Sequence, residues 1–202
     1  MEAGSICMVV SLTDGSGDAL AWSAALGDAS IASVILRAAD GRRLDPARVR
    51  PFVEMVQRLD RPALIENDVD LARHVNADGV HLTYEPSDDG DAVAVRYKAA
   101  RAELGADRIV GVCCGMMRHD AMVAGELGAD YVAFERVGGA DLEVLVDIVS
   151  WWAEVIEVPA VAWCTLDAGG AAAALAAGAD FAAVGATTPS GAATALASLR
   201  SA

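Results

Sequence analysis

Asn76-Ala-Asp-Gly-Val-His-Leu82, Gly128-Ala-Asp-Tyr-Val-Ala-Phe134 and Gly178-Ala-Asp-Phe-Ala-Ala-Val184 are three copies of one pattern, spaced 52 and 50 residues apart. Asn and Gly tolerate the left-handed conformation that ends a helix, so each copy reads as a helix end, a tight turn and the start of a strand. An interval of that length holds two β/α units. Four such intervals give eight strands, which favours a closed (β/α)8 TIM barrel over an open doubly wound sheet.

The rest of the chain supports that count. Short β-branched runs alternate with longer amphipathic stretches, the pattern of helices laid on a parallel sheet. The expected strands are Cys7–Leu12, Ser33–Arg37, Ala63–Glu66, Gly79–Leu82, Ile109–Cys113, Tyr131–Phe134, Ala160–Cys164 and Phe181–Gly185. At 202 residues, 54% of them hydrophobic and only 5% aromatic, the chain suits one barrel domain, 1–202, with a core of small aliphatic side chains.

Charge narrows the choice of partner. Twenty-nine acidic residues against fifteen basic ones leave −14, a field that repels nucleic acid and anionic lipid. Neither nucleic acid nor membrane is expected. Met1 to Val10 lacks a basic segment and a long apolar run, so no leader or span is read there and a cytoplasmic protein is expected. Cys7, Cys113, Cys114 and Cys164 have no CxxC spacing, consistent with reduced thiols. The acidic segment 87–91 reads as a solvated loop.

From Leu64-Ile-Glu-Asn-Asp-Val-Asp-Leu-Ala72 and Ala77-Asp-Gly-Val-His-Leu82 onward, the sequence resembles thiamine phosphate synthases and the TenI-type thiazole tautomerases. Ile109-Val-Gly-Val112, Gly128-Ala-Asp-Tyr131, Val158-Pro-Ala-Val-Ala162 and Gly178-Ala-Asp180 continue the likeness over nearly the whole chain. The resemblance implies a reaction between an aminopyrimidine diphosphate and a thiazole phosphate, with Mg²⁺ and cations stabilising the departing diphosphate. Shared scaffold does not transmit a reaction, so each position carries its own argument.

Of the Gln-x-Arg-x-Lys pattern that the family shows on its second strand, Arg37 survives. It suits bidentate anion binding or, alternatively, a pair with Glu66. Glu66, Asp68 and Glu85 are the candidate Mg²⁺ ligands, although Asn67 and Asp68 equally suit capping of the following helix. Asn67 and Thr83, after the third and fourth strands, are expected to contact the ligand. His81 reads as a barrel-lining hydrogen-bonding residue or a general base. Cys113 stands where the family shows Ser, and reads as a packed thiol or a nucleophile. After the sixth strand, Glu135-Arg-Val-Gly-Gly-Ala-Asp141 lacks the threonines and lysine with which the family grips diphosphate, leaving Arg136 nearest. Trp163, Cys164 and Thr165 replace a glycine-rich phosphate loop, and Gly185, Ala186 and Thr187 form the last turn, whose amides suit one phosphate.

These departures favour a divergent barrel that binds a small phosphorylated or thiamine-related ligand, with the diphosphate and Mg²⁺ chemistry weakened or lost. An active synthase using substitute residues is the first alternative. A non-catalytic interaction protein, homodimeric through Trp151 and Trp152, is the second.

Overall fold

In the computed structural model, which describes residues 5–13, 16–85, 91–136, 141–163 and 168–201, the three repeats act as one device used three times. Asn76, Gly128 and Gly178 take φ of 58°, 89° and 104°. The next amide in each copy reaches back five residues: Ala77 N donates to Ala72 O, Ala129 N to Ala124 O and Ala179 N to Ala174 O, at 2.9, 3.0 and 3.1 Å. These bonds satisfy carbonyls that a helix end would otherwise orphan. The Asp then clamps the neighbouring strand. Asp78, Asp130 and Asp180 accept from the amides of Ala63, Val110 and Ala160 at 2.8, 2.7 and 2.8 Å. Each Asp amide donates back to the carbonyl of the same residue.

The clamps set the starts of three strands in a closed parallel barrel whose order follows the chain. Its strands are β1 (Ile6–Leu12), β2 (Ile31–Ala38), β3 (Ala63–Glu66), β4 (Gly79–Leu82), β5 (Ile109–Cys113), β6 (Tyr131–Glu135), β7 (Ala160–Trp163) and β8 (Phe181–Ala186). The helices between and after them are α1 (Ala19–Leu26), α2 (Pro46–Arg58), α3 (Val69–Val75), α4 (Ala92–Leu104), α5 (Arg118–Glu126), α6 (Leu142–Val155), α7 (Ala168–Ala176) and α8 (Pro189–Ser201). The sequence expectation of eight strands therefore holds. β2 starts earlier than expected, because the register shifts between Ile6 and Cys7 and gives Ile31 a partner on β1. β6 runs one residue further, to Glu135, which pairs with Trp163. The expected strand end at Cys164 lies outside the described residues.

Alternation along each strand divides the apolar residues into two cores. Val10, Leu36, Ile65, Val80, Val112, Val132 and Ala162 face the helices, where Trp22, Phe52 and Trp152 are buried. Inside the barrel, Cys7, Val9, Ile35, Leu64, Cys113, Tyr131, Val161 and Trp163 form the second cluster. The core is built mainly of Ala, Val, Leu and Ile, as expected, and the barrel interior adds a few large rings. Gly111 explains it: a Cβ there would lie 1.9 Å from Cζ of Tyr131, so the missing side chain is the slot that the Tyr131 ring occupies. Glycine and alanine on the strands make room for a few large rings.

Trp152 is 1% exposed and donates from its indole N–H to Val158 O at 2.7 Å. An adhesive patch built on it is excluded. Trp151 is half-buried, with the Arg118 guanidinium 4.4 Å from its ring centroid.

Candidate active site

The C-terminal strand ends place their last inward-facing residues around one opening. Arg37 of β2 is tied from both sides: its Nε donates to Ser11 Oγ of β1 at 2.8 Å, and its Nη1 lies 3.7 Å from Glu66 Oε1 of β3. Both readings of Arg37 therefore meet here, since the pair with Glu66 exists and the guanidinium is still one-third exposed to the mouth. Glu66 Oε1 is buried and accepts no hydrogen bond. Burial pushes the Glu66 carboxyl above the usual range; Arg37 pulls it down and the Glu135 carboxylate pushes it up. Glu135 of β6 is half-buried and also raised by burial, although a Cys113 hydrogen bond and Arg37 counteract this. Cys113 Sγ donates to Glu135 Oε2 at 3.6 Å. One cation thus serves two carboxyl groups.

Rings fill the barrel interior. His81 is fully buried, its Nδ1 is 2.8 Å from Tyr131 Oη, and its ring stacks on Trp163 with centroids 4.0 Å apart and an 8° interplanar angle. Its Nε2 has no hydrogen-bond partner. Burial, with Arg96 and Arg37 adding repulsion, pulls its pKa down to about 3. His81 is therefore neutral at physiological pH, held between Tyr131 and Trp163. Burial pushes the Cys113 thiol up to about 12, so it stays protonated at physiological pH. Cys114 faces the helix layer and donates to Val112 O at 3.7 Å, so the two adjacent thiols point apart.

The rim on the β3 and β4 side is already braced. Asn67, at φ 56°, donates from Nδ2 to Thr83 Oγ1 at 2.6 Å and accepts from Thr83 N at 2.9 Å. Arg96 of α4 clamps both loops, donating to Thr83 O at 2.7 Å and Asn67 Oδ1 at 3.0 Å. It also pairs with Glu85 at 3.5 Å. Asp68 caps α3 by accepting from Leu71 N at 2.9 Å, and it holds Arg43 at 2.6 Å. That guanidinium keeps its carboxyl below the usual range. A cavity of about 760 Å³ opens on this flank, reaching the mouth through Glu66.

The three carboxylates considered for Mg²⁺ are thus engaged separately, and among the described residues no three His, Cys, Asp or Glu side chains converge. Mg²⁺ usually keeps several waters and binds through one or two carboxylates together with substrate phosphates rather than an all-protein cage, so these carboxylates would hold it only beside a bound diphosphate. Gly185 opens onto the mouth, Ala186 points into the helix layer, and Thr187 is exposed, with its carbonyl accepting from Ser16 Oγ at 3.2 Å. Arg136 is exposed at the rim. Cys164, Thr165, Pro86 and most of the acidic segment 87–91 lie outside the described residues.

A barrel with a polar mouth at its C-terminal strand ends is a site shared by many enzymes, so the comparison with known proteins decides the family. The family model described as thiamine monophosphate synthase matches residues 6–187. The chain belongs to the thiamine phosphate synthase family. It is 39% identical over 170 residues to the thiamine-phosphate synthase of Rhodospirillum centenum, covering 80% of this chain and 77% of the relative. It is 40% identical over 156 residues to that of Erythrobacter litoralis, covering 73% and 69%. Among solved structures, a thiamine phosphate pyrophosphorylase from Pyrococcus furiosus superposes with a TM-score of 0.69 at 22% identity, covering 96% and 94% of the two chains. A GGGPS from Thermoplasma volcanium gives 0.68 at 17% identity, covering 98% and 92%. These two likenesses support the barrel fold.

Three residues of the site were absent from the sequence expectation. Glu135 lies one residue past the expected strand end at Phe134, and continuing the alternation from Tyr131 and Ala133 places it inward. Ser11 follows from the same parity on β1. Arg96 carries no such signal, since only closure of the fold brings α4 against two loops.

Proposed function

We propose that the chain joins an aminopyrimidine diphosphate to a thiazole phosphate at the C-terminal mouth, giving thiamine phosphate and free diphosphate. The thiazole nitrogen forms the new C–N bond as the C–O bond to diphosphate breaks. The likeness to curated synthases, at 39–40% identity over most of the chain, carries this reading and raises it above the weakened binder that the sequence alone favoured. Arg37 supplies fixed positive charge where anionic oxygens gather, and Ser11 and Glu66 hold it in place. The His81–Trp163 stack fills the barrel interior beneath the mouth. Among the described residues no helix is long and apolar enough to cross a membrane.

The binder with weakened chemistry stays as a second reading on one observation, the pairing of Arg37 with Glu66 at a mouth where Glu135 also lies. The test is product formation from the two substrates with Mg²⁺ present, measured beside calorimetry with thiamine phosphate. Turnover above the uncatalysed rate is expected. Tight thiamine phosphate binding without turnover would sink the synthase reading in favour of the binder.

A further inference from the structure

In a closed barrel of eight strands in chain order, β2 and β6 stand four places apart, on opposite walls. Arg37 and Glu135 are the last inward residues of these two strands, so they face each other across the axis. Among the described residues, the Glu135 carboxyl accepts from the Cys113 thiol, a weak donor. Its charge is felt at Glu66 and is itself answered by Arg37. The mouth therefore carries the Arg37–Glu66 pair on the β2 and β3 side and the Glu135 carboxyl on the opposite β6 wall.

We infer that Glu135 is a specificity-determining residue: it keeps anionic groups off the β6 wall and confines them to the Arg37 side. A ligand with one anionic end and a hydrogen-bond-donating end fits this arrangement, donor towards Glu135. A free polyanion lying across the axis would meet Glu135 directly. Like charges in a half-buried site repel more strongly than in water, because less solvent screens them. This inference rests on the mouth being the binding site, as in the proposed function, but on no step of the reaction.

The probe is inorganic pyrophosphate, titrated by calorimetry into the full chain with a chelator present so that no metal bridges the anion. Glu135→Gln removes the charge and keeps the shape. Its affinity for pyrophosphate is expected to exceed that of the wild type by about tenfold, or ~1.4 kcal/mol, and the gain should vanish in the Arg37→Gln/Glu135→Gln double variant. In substrate assays the same change should lower KM for the diphosphate substrate more than it alters kcat. Equal affinity for wild type and Glu135→Gln, a gain that persists without Arg37, or no binding by either protein would overturn the inference. Glu135→Ala serves as the second variant, with thermal melts confirming that both fold. Because binding is read without turnover, an inactive wild type whose pyrophosphate affinity still rises in Glu135→Gln would sink the synthase and spare the gate.

Discussion

At the foot of the barrel, Asp78, Asp130 and Asp180 each accept a backbone amide of a neighbouring strand and donate their own amide in return. At the mouth, Glu66 and Glu135 share one arginine, and burial raises both carboxyls. The same residue class stabilises the fold at one end and is held against its solvation preference at the other. Carboxylates that satisfy backbone groups belong to the scaffold; carboxylates kept buried and poorly partnered mark the end where chemistry is placed.

Gly111→Ala attacks the interior between the two ends and should have the largest effect on stability. A methyl group 1.9 Å from Tyr131 Cζ cannot be accommodated without moving the ring and its His81 partner, so a loss of about 3 kcal/mol is expected. In a thermal melt that is a drop of roughly 6–12 °C. A change under 2 °C would show that Tyr131 does not need the slot.

Asp180→Ala removes one foot clamp and strands the Ala160 amide, at a cost of about 2 kcal/mol. Melting should fall by ~4–8 °C while kcat/KM of the remaining folded protein stays within twofold. A large loss of activity at unchanged stability would reverse the assignment of foot and mouth.

The pH dependence separates the ends further. His81 titrates near 3 in the fold, below its ordinary 6.5, so its protonation favours unfolding. Its contribution to stability is complete above pH 6.5 and is lost as pH falls towards 3, by at most ~1.4 kcal/mol per pH unit. Glu66 and Glu135 act in the opposite sense: raised carboxyls favour the fold as they take up protons, partly offsetting the loss. His81→Gln should flatten the acid limb of a denaturation series. An unaltered limb would mean that His81 is not the group responsible.

Trp151→Ala should change least. Its cation–π contact with Arg118 is worth ~0.5–1 kcal/mol at a partly exposed site, and a melt lowered by about 1–4 °C is expected. Sedimentation of the same variant tests homodimerisation through this face: a mass equal to that of the wild type counts against it.

The foot was legible in the sequence because its device is local. A positive-φ Asn or Gly, an Ala and an Asp in succession specify helix end, turn and clamp wherever they recur, so three copies fixed the barrel count. The mouth was legible only in part. Arg37 and Glu66 lie on adjacent strands, and their pairing could be foreseen. The stack of His81 on Trp163 and the slot that Gly111 leaves for Tyr131 depend on ring closure, which brings β4, β5, β6 and β7 together from the stretch Gly79 to Trp163 in a way no local pattern records. Glu135 needed one more step of alternation, and Arg96 needed the docked helix.

The most direct test of the account is kcat/KM for thiamine phosphate formation by Arg37→Gln beside the wild type, with both melting temperatures recorded. Arg37 makes one hydroxyl hydrogen bond and one loose ion pair, so melting should shift by less than about 3 °C. Turnover should fall by roughly 100-fold or more, the loss expected when a fixed charge facing the departing diphosphate is removed. Wild-type turnover from Arg37→Gln would contradict the placement of the reaction at this mouth.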